Sequence, residues 1–139
     1  MKSREISIKE LEYGLCKYDV VSSEKPGKSG LKNIENVKIV KNTDSVKAEM
    51  SVAFGVKYKL LSKKEGKKKL KVKWEFPTSI TDNNGNSSHK LVYTEELIMN
   101  VDTFSLYSFN KGYKVQRGPW SLIISYKGKT VLKRTFIVY

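Results

Sequence analysis

Residues 46–60, VKAEMSVAFGVKYKL, decide the fold class of this chain. Apolar side chains occupy every second position from Val46 to Leu60, and most positions between them are polar or small. Because successive side chains of a strand point to opposite faces, this alternation predicts a β-strand with one buried face. The run is longer than a typical strand, so Gly55 is expected to mark a bulge or bend within it. The positions expected to face inward are Val46, Ala48, Met50, Val52, Phe54, Val56, Tyr58 and Leu60.

The two tryptophans lie in further alternating runs. Residues 70–76 place Trp74 on one face and lysines on the other, and Pro77 is expected to end this strand. Trp120 begins a second run, which leads through the turn Lys127-Gly128-Lys129 into a return strand over 130–139. The sequence therefore predicts that both tryptophans lie inside one core.

Weaker alternation predicts strands at about 5–19, 36–41, 90–99 and 103–109, and turn-forming residues are dense at 24–30 and 81–88. A short helical turn near 94–100 is an alternative to the end of one strand. No stretch has sustained helical spacing with caps at both ends. About eight strands with frequent turns are typical of an all-β, antiparallel sandwich or barrel, and we expect a sandwich.

Length and cysteine content set further bounds. The 139 residues suit a single domain over 1–139, with no repeat or linker to divide them. Cys16 is the only cysteine, so no disulfide can form within the chain. No apolar run is long enough to span a membrane, and the residues 1–10 do not resemble a signal peptide. A cytoplasmic protein and one exported after removal of a signal both fit.

The charge is strongly positive. The chain has 27 Lys and Arg against 14 Asp and Glu, a formal net charge of +13. The only arginines are Arg4, Arg117 and Arg134. Arginine is the residue that reads phosphates and bases in a bidentate manner, so a lysine surface indicates less specific attraction to anions, or a contribution to solubility.

The candidate binding site is a stripe of lysines. On a strand, Lys69, Lys71 and Lys73 share an outward face at intervals of about 7 Å. If residues 46–60 and 70–76 pair as a hairpin around Gly66, further lysines extend this face. An acidic protein or a polyanion is the expected partner; the alternative is that the lysines protect a sheet edge from pairing. The full candidate set is Lys57, Lys59, Lys67, Lys68, Lys69, Lys71 and Lys73.

Catalytic and metal sites are not expected. His89 is the only histidine and lies in a loop, which makes a hydrolase around it the least favoured function. Cys16 is expected to be a buried apolar residue rather than a nucleophile. Residues 82–86 offer oxygen ligands for calcium, but they carry one carboxylate and match an Asn-Gly turn better. Glu95 and Glu96 are adjacent and would point to opposite faces of a strand. No cofactor is expected.

Exposed aromatic rings would strengthen a binding role, since they stack on bases and sugars. The candidates are Tyr107, Phe109, Tyr113 and Tyr139, for which packing in or beside the core is the competing interpretation.

Four segments, in order, resemble the bacterial DUF3859 family, a family of unknown function. They are Glu12-Tyr13-Gly14-Leu15, Phe54-Gly55-Val56-Lys57-Tyr58, Gly118-Pro119-Trp120-Ser121-Leu122-Ile123-Ile124 and Phe136-Ile137-Val138. Together they cover most of the chain. The resemblance implies an immunoglobulin-like sandwich and no particular activity. The density of lysines departs from the family pattern, so a partner of this chain need not be shared by the family.

Two functions follow as hypotheses. The first is a non-enzymatic binding or accessory module with a basic face. The second is a structural or assembly protein that pairs through an exposed sheet edge.

Overall fold

The computed structural model describes residues 6–20, 34–109 and 112–139. Within these ranges the chain forms nine strands and one short 3-10 helix, at Gly112–Lys114. The strands are β1 (Ile6–Val20), β2 (Ile34–Asn42), β3 (Ser45–Val46), β4 (Ala53–Ser62), β5 (Lys67–Thr81), β6 (Ser87–Ile98), β7 (Asp102–Ser108), β8 (Gly118–Tyr126) and β9 (Lys129–Val138).

The strands form two sheets. One has four strands in the order β2-β1-β4-β7, and the other has five in the order β3-β9-β8-β5-β6. Every pair is antiparallel except β3–β9, which is parallel and two residues long. The predicted all-β sandwich is confirmed, with nine strands instead of about eight.

The core lies between the sheets, where the inward positions of both meet. Trp74, Trp120 and Phe54 are fully buried, and the ring of Phe54 lies 5.6 Å from Trp74 and 5.9 Å from Trp120 between centroids. Phe54 belongs to the four-stranded sheet and both tryptophans to the five-stranded sheet. The aromatic cluster therefore joins the two layers, as the alternation around each tryptophan predicts.

The prediction of one continuous strand over 46–60 is wrong. Val46 pairs in the five-stranded sheet as β3, and β4 of the other sheet begins only at Ala53. The chain turns between them at Ser51, which has a φ of 71° and donates its N–H to the Phe109 carbonyl at 2.9 Å. Met50, expected in the core, is 49% exposed as a result.

No β-bulge occurs at Gly55, contrary to the expectation from sequence, because its pairing with β1 and β7 is regular. It lies within the strand, and β7 passes so close that a Cβ at this position would lie 2.2 Å from the Ser105 carbonyl oxygen. The missing side chain permits the close approach of two strands, which is the other common reason for a glycine in a strand.

Pro77 does not end its strand either. β5 continues to Thr81, but its pairing with β6 is interrupted between Glu75 and Ile80. Pro77 lies inside this irregularity, where a residue without an N–H breaks no ladder hydrogen bond. The alternative of a helical turn near 94–100 is also wrong, because β6 extends to Ile98.

The C-terminal hairpin is confirmed. β8 and β9 pair antiparallel, and the turn between them has positive φ angles at Lys127 (48°) and Gly128 (81°). Two positive φ angles are typical of the tight turns that match strand twist. The turn-rich segment 24–30 lies outside the described residues. No described helix is long and apolar enough to cross a lipid bilayer.

Candidate anion-binding face

The lysines of β5 lie on the outer surface of the five-stranded sheet. Leu70, Val72 and Trp74 are buried in the core, so the odd-numbered positions of this part of the strand point outward. Lys67, Lys69 and Lys71 are exposed, and Lys73 is half-buried. Lys68 is an exception within the candidate set, because it shares the inward parity of Leu70 and is half-buried opposite Leu97.

Neighbouring strands add two lysines that the sequence did not single out. Lys90 of β6 lies directly opposite Glu75, and Lys133 of β9 is separated from Lys73 by Ile123 of β8. Both are exposed. We use the name lysine face for the outward lysines of this sheet, which are Lys67, Lys69, Lys71, Lys73, Lys90 and Lys133.

The positive charge of the lysine face is only partly balanced. The outward acidic residues beside it on β5 and β6 are Glu75 and Glu96. Lys73 Nζ lies 3.7 Å from Glu75 Oε2, and no other lysine of the face has an acidic oxygen within 4.0 Å among the described residues. Six lysines against two glutamates leave an excess of positive charge that attracts anions.

Aliphatic side chains, not aromatic rings, lie between these lysines. Val92 and Ile137 are exposed by 41% and 49%, and Ile123 is half-buried between Lys73 and Lys133. The outward positions of β5, β6, β8 and β9 carry no aromatic side chain. The face therefore offers charge and aliphatic contact, without the stacking platforms that read bases.

Lys57 and Lys59 do not extend this face, and the hairpin that would place them there does not form. β4 pairs with β1 and β7, whereas β5 pairs with β6 and β8, so Gly66 connects strands of opposite sheets. Asp102 of β7 lies 3.6 Å from Lys57 and 3.8 Å from Lys59. These two lysines lie on the outer surface of the four-stranded sheet, where both form ion pairs with Asp102.

Protection of an edge does not account for the central lysines of β5. Lys71 and Lys73 have β6 on one side and β8 on the other. Edge protection requires lysines on an outermost strand of a sheet, and the outermost strands here are β6 and β3. Among the described strands, β5 has β6 as its only partner from Lys67 to Leu70 and again at Ile80 and Thr81.

The expectation that His89 lies in a loop is wrong, because His89 belongs to β6 (Ser87–Ile98), and no carboxylate in the described ranges hydrogen-bonds to it. His89 Nδ1 lies 3.3 Å from Ser79 Oγ, and both side chains are exposed. Asp82 is engaged elsewhere, since its Oδ1 accepts the N–H groups of Asn84 at 2.9 Å and Asn86 at 3.0 Å. This is the hydrogen bonding of an Asx turn, in line with the Asn-Gly turn expected over residues 82–86. No group of three or more potential metal ligands of the His, Cys, Asp and Glu types occurs in the described ranges.

Cys16 lies on the outer side of the four-stranded sheet under a small apolar cluster. It is 8% exposed and packs with Ala53 and Leu106. Burial raises the pKa of its thiol from 9.0 to about 12, so the nucleophilic thiolate is disfavoured. This environment is typical of a buried apolar cysteine.

Two of the aromatic candidates belong to the core. Tyr107 and Phe109 are 3% and 0% exposed, and their rings lie 5.0 Å and 5.3 Å from that of Trp120. Tyr139 is 62% exposed at the end of β9. The side chain of Tyr113 lies outside the described residues.

Two packed sheets with an aromatic core and a C-terminal hairpin define an immunoglobulin-like β-sandwich. The chain belongs to the DUF3859 family, a domain of unknown function, whose sequence pattern matches residues 4–138. The resemblance seen in the sequence is confirmed.

Solved structures share this architecture. An immunoglobulin-like protein from Pseudomonas aeruginosa is 22% identical, with a TM-score of 0.67 over 98% of both chains. Weaker similarity links the chain to an alkylpurine DNA glycosylase from Pseudomonas fluorescens (TM-score 0.44, 10% identity, 96% of this chain and 30% of that one). It also links it to a β-glucosidase from Listeria innocua (TM-score 0.45, 12% identity, 96% and 16%). No curated protein matches the chain in sequence. The first similarity supports the fold.

Proposed function

We propose that this chain is a non-enzymatic binding module that holds a polyanion on its lysine face. The observation that carries the proposal is the column of lysines along β5. Lys67, Lys69 and Lys71 point outward at intervals of about 7 Å, and none has an ion-pair partner among the described residues. A row of uncompensated charges at a regular interval fits a partner whose own charges repeat along a chain.

The chemistry of the lysine face favours attraction by charge over recognition of a sequence. It has lysines and no arginine, and each lysine acts as a strongly hydrated point charge. It lacks aromatic rings on which a base or sugar could stack. Binding is therefore expected to be dominated by the release of counterions and to weaken steeply with salt.

The absence of an enzyme activity is part of the proposal. A Ser-His pair needs a carboxylate that orients the histidine, and Asp82 instead holds the turn beside it. The burial of Cys16 and the lack of a described metal-ligand cluster point in the same direction.

Retention on immobilised heparin, followed by titration with a heparin oligosaccharide at several salt concentrations, tests the proposal. The variant Lys67→Gln/Lys69→Gln/Lys71→Gln removes three charges from the lysine face and breaks no described ion pair. A matched control removes three exposed lysines from the opposite sheet: Lys9→Gln/Lys17→Gln/Lys41→Gln. Both variants have the same net charge.

The two variants should behave differently. We expect the first to elute at lower salt and to lose about two to three units from the slope of log K against log salt, because each lost contact contributes about 0.7–0.9. The control should keep most of the slope. The proposal is contradicted if heparin does not retain the wild-type chain at low salt. It is also contradicted if the slope of log K against log salt falls equally in the two variants. Salt-independent binding by the wild type would also overturn it.

A further inference from the structure

One of the two outermost strands of the five-stranded sheet, β6, is long and regular. β6 runs for 12 residues and pairs with β5 alone among the described strands. It contains no proline, and its pairing has no irregularity from Lys90 to Ile98. Val92 and Ile98, which point outward on it, are 41% and 50% exposed. Strands of this kind are templates for pairing with another chain.

The charges on the outer side of β6 form a self-complementary pattern. Lys90 and Glu96 point outward and lie at equal distances in sequence from Tyr93. Neither has an ion-pair partner within 4.0 Å in the described part of the chain. On β5, Glu75 lies opposite Lys90, and Lys69 lies opposite Glu96.

We propose that two copies of this chain form a symmetric dimer by antiparallel pairing of β6 with itself, centred on Tyr93. In that register Glu96 lies opposite the partner's Lys90. Each outer row then reads Lys69, Glu96, the partner's Lys90 and the partner's Glu75, so the sign of the charge alternates across four strands. The symmetry axis produces this row twice. Opposite charges on directly facing positions stabilise a strand pair.

The neighbouring registers lack this match. Centring the pair on Thr94 places Lys90 opposite Ile98 of the other copy and Glu96 opposite Val92. Centring it on Glu95 brings Val92 against Ile98, but it sets Glu95 opposite its own copy, and like charges that face each other destabilise a strand pair. The register of an antiparallel pair follows such facing positions, and here they select Tyr93.

The dimer would make one continuous ten-stranded sheet with the lysine faces of both copies on the same side. The two β5 columns would be three strand spacings apart, about 14 Å. The dimer itself does not depend on polyanion binding, because its contacts are the edges of β6. A failure of heparin binding would therefore leave it untouched.

Sedimentation equilibrium measures the dimer, with charge variants at the two positions. Lys90→Glu and Glu96→Lys should each raise the dimer dissociation constant about tenfold or more, because each change converts both symmetric contacts from attraction to repulsion. The double variant Lys90→Glu/Glu96→Lys should restore much of the loss. Lys133→Glu on β9 is the control, since it makes the same charge change on the same surface away from β6. Thermal unfolding of dilute samples shows which variants are folded.

Disulfide trapping tests the register. In a Cys16→Ala background, Val92→Cys/Thr94→Cys should form covalent dimers under mild oxidation, because residue 92 faces residue 94 of the other copy and both charges are kept. Thr94→Cys alone should form far fewer, since residue 94 faces its own copy only in the register centred on Thr94. Residues 92 and 94 lie about 7 Å apart along one strand, beyond the usual Cα separation of a disulfide within a chain. A wild type that is monomeric at millimolar concentration overturns the proposal. A dimer whose dissociation constant is unchanged in both charge variants, or one trapped equally well by Thr94→Cys alone, overturns it as well.

Discussion

Arg134 of β9 binds Glu10 of β1 across the opening between the two sheets. Its Nη2 lies 2.6 Å and its Nε 2.8 Å from the same carboxylate oxygen, Glu10 Oε1. The guanidinium also lies over the ring of Tyr13, with Cζ 3.9 Å from the centroid. Arg134 of the five-stranded sheet thus contacts two side chains of the four-stranded sheet, Glu10 and Tyr13.

Replacing Arg134 should destabilise the fold. Arg134→Ala removes a charged hydrogen-bonded pair and a cation–π contact, and we expect a loss of about 1–2 kcal/mol in the free energy of unfolding. The pair is partly exposed, with side chains 29% and 26% accessible, so solvent limits the effect. Arg134→Lys should lose most of the same amount, because lysine lacks the planar group that stacks on Tyr13. Urea unfolding measures both.

A double-mutant cycle with Glu10→Gln isolates the pair. The coupling between the two positions should be about 1 kcal/mol at low salt and smaller at high salt. A coupling near zero would mean that Arg134 stabilises the sandwich through Tyr13 alone.

Substitution of Gly55 should be much more costly. In Gly55→Ala the new Cβ would meet the Ser105 carbonyl oxygen at 2.2 Å and Leu106 Cα at 2.6 Å, and both belong to backbone that must move. We expect a loss of about 3 kcal/mol or more, from strain between β4 and β7. Gly112→Ala is the control, because a Cβ there has open space within 4 Å. Equal urea midpoints for the two variants would show that β4 and β7 move apart without a loss of stability.

The alternation of residues predicts which face is buried, but it does not predict which strands are neighbours. Phe54, Trp74 and Trp120 lie in the core as expected, since an inward position is a local property of a strand. The hairpin around Gly66 fails because the same alternation fits a crossing to the opposite sheet equally well.

Because the sequence does not predict which strands are neighbours, the candidate site in the structure differs from the predicted set of lysines. Lys69, Lys71 and Lys73 follow from the pattern of one strand, and the structure places them on one outer surface. Lys90 and Lys133 join this surface only through the registers of β5, β6, β8 and β9, which the sequence did not predict. Lys57 and Lys59 leave it for the same reason. Whether any of these lysines binds a partner stays a prediction.

Alkaline pH should lower the free energy of unfolding, and the first part of this loss should come from ionisation of the Cys16 thiol in the unfolded chain. Burial raises the pKa of its thiol from 9.0 to about 12, and it raises the pKa of Tyr58 and Tyr93 above their ordinary 10.0. The folded state therefore keeps protons that the unfolded chain releases. The stability is fully present below pH 9.0 and is lost as the pH rises toward the folded pKa values.

Urea unfolding between about pH 8 and about pH 10 measures this loss, at up to about 1.4 kcal/mol per pH unit for each group. Cys16→Ala should remove most of the slope just above pH 9.0, where the tyrosines have barely begun to titrate. In the folded wild type the thiol should react slowly with a thiol reagent at pH 8, and it should react fast in urea. Rapid reaction of the folded chain would contradict the burial of Cys16.

The losses in the free energy of unfolding caused by substitutions at Tyr58 and Ser105 should not be additive. Their hydroxyl oxygens lie 2.8 Å apart between β4 and β7, and both residues are buried. Tyr58→Phe leaves the Ser105 hydroxyl without this partner, and Ser105→Ala does the same to Tyr58, so each should lose about 1–2 kcal/mol. The double variant removes both polar groups and should lose clearly less than the sum of the single losses, because no hydroxyl remains buried without its partner. Additive losses would mean that each hydroxyl finds another hydrogen-bonding group when the first is removed.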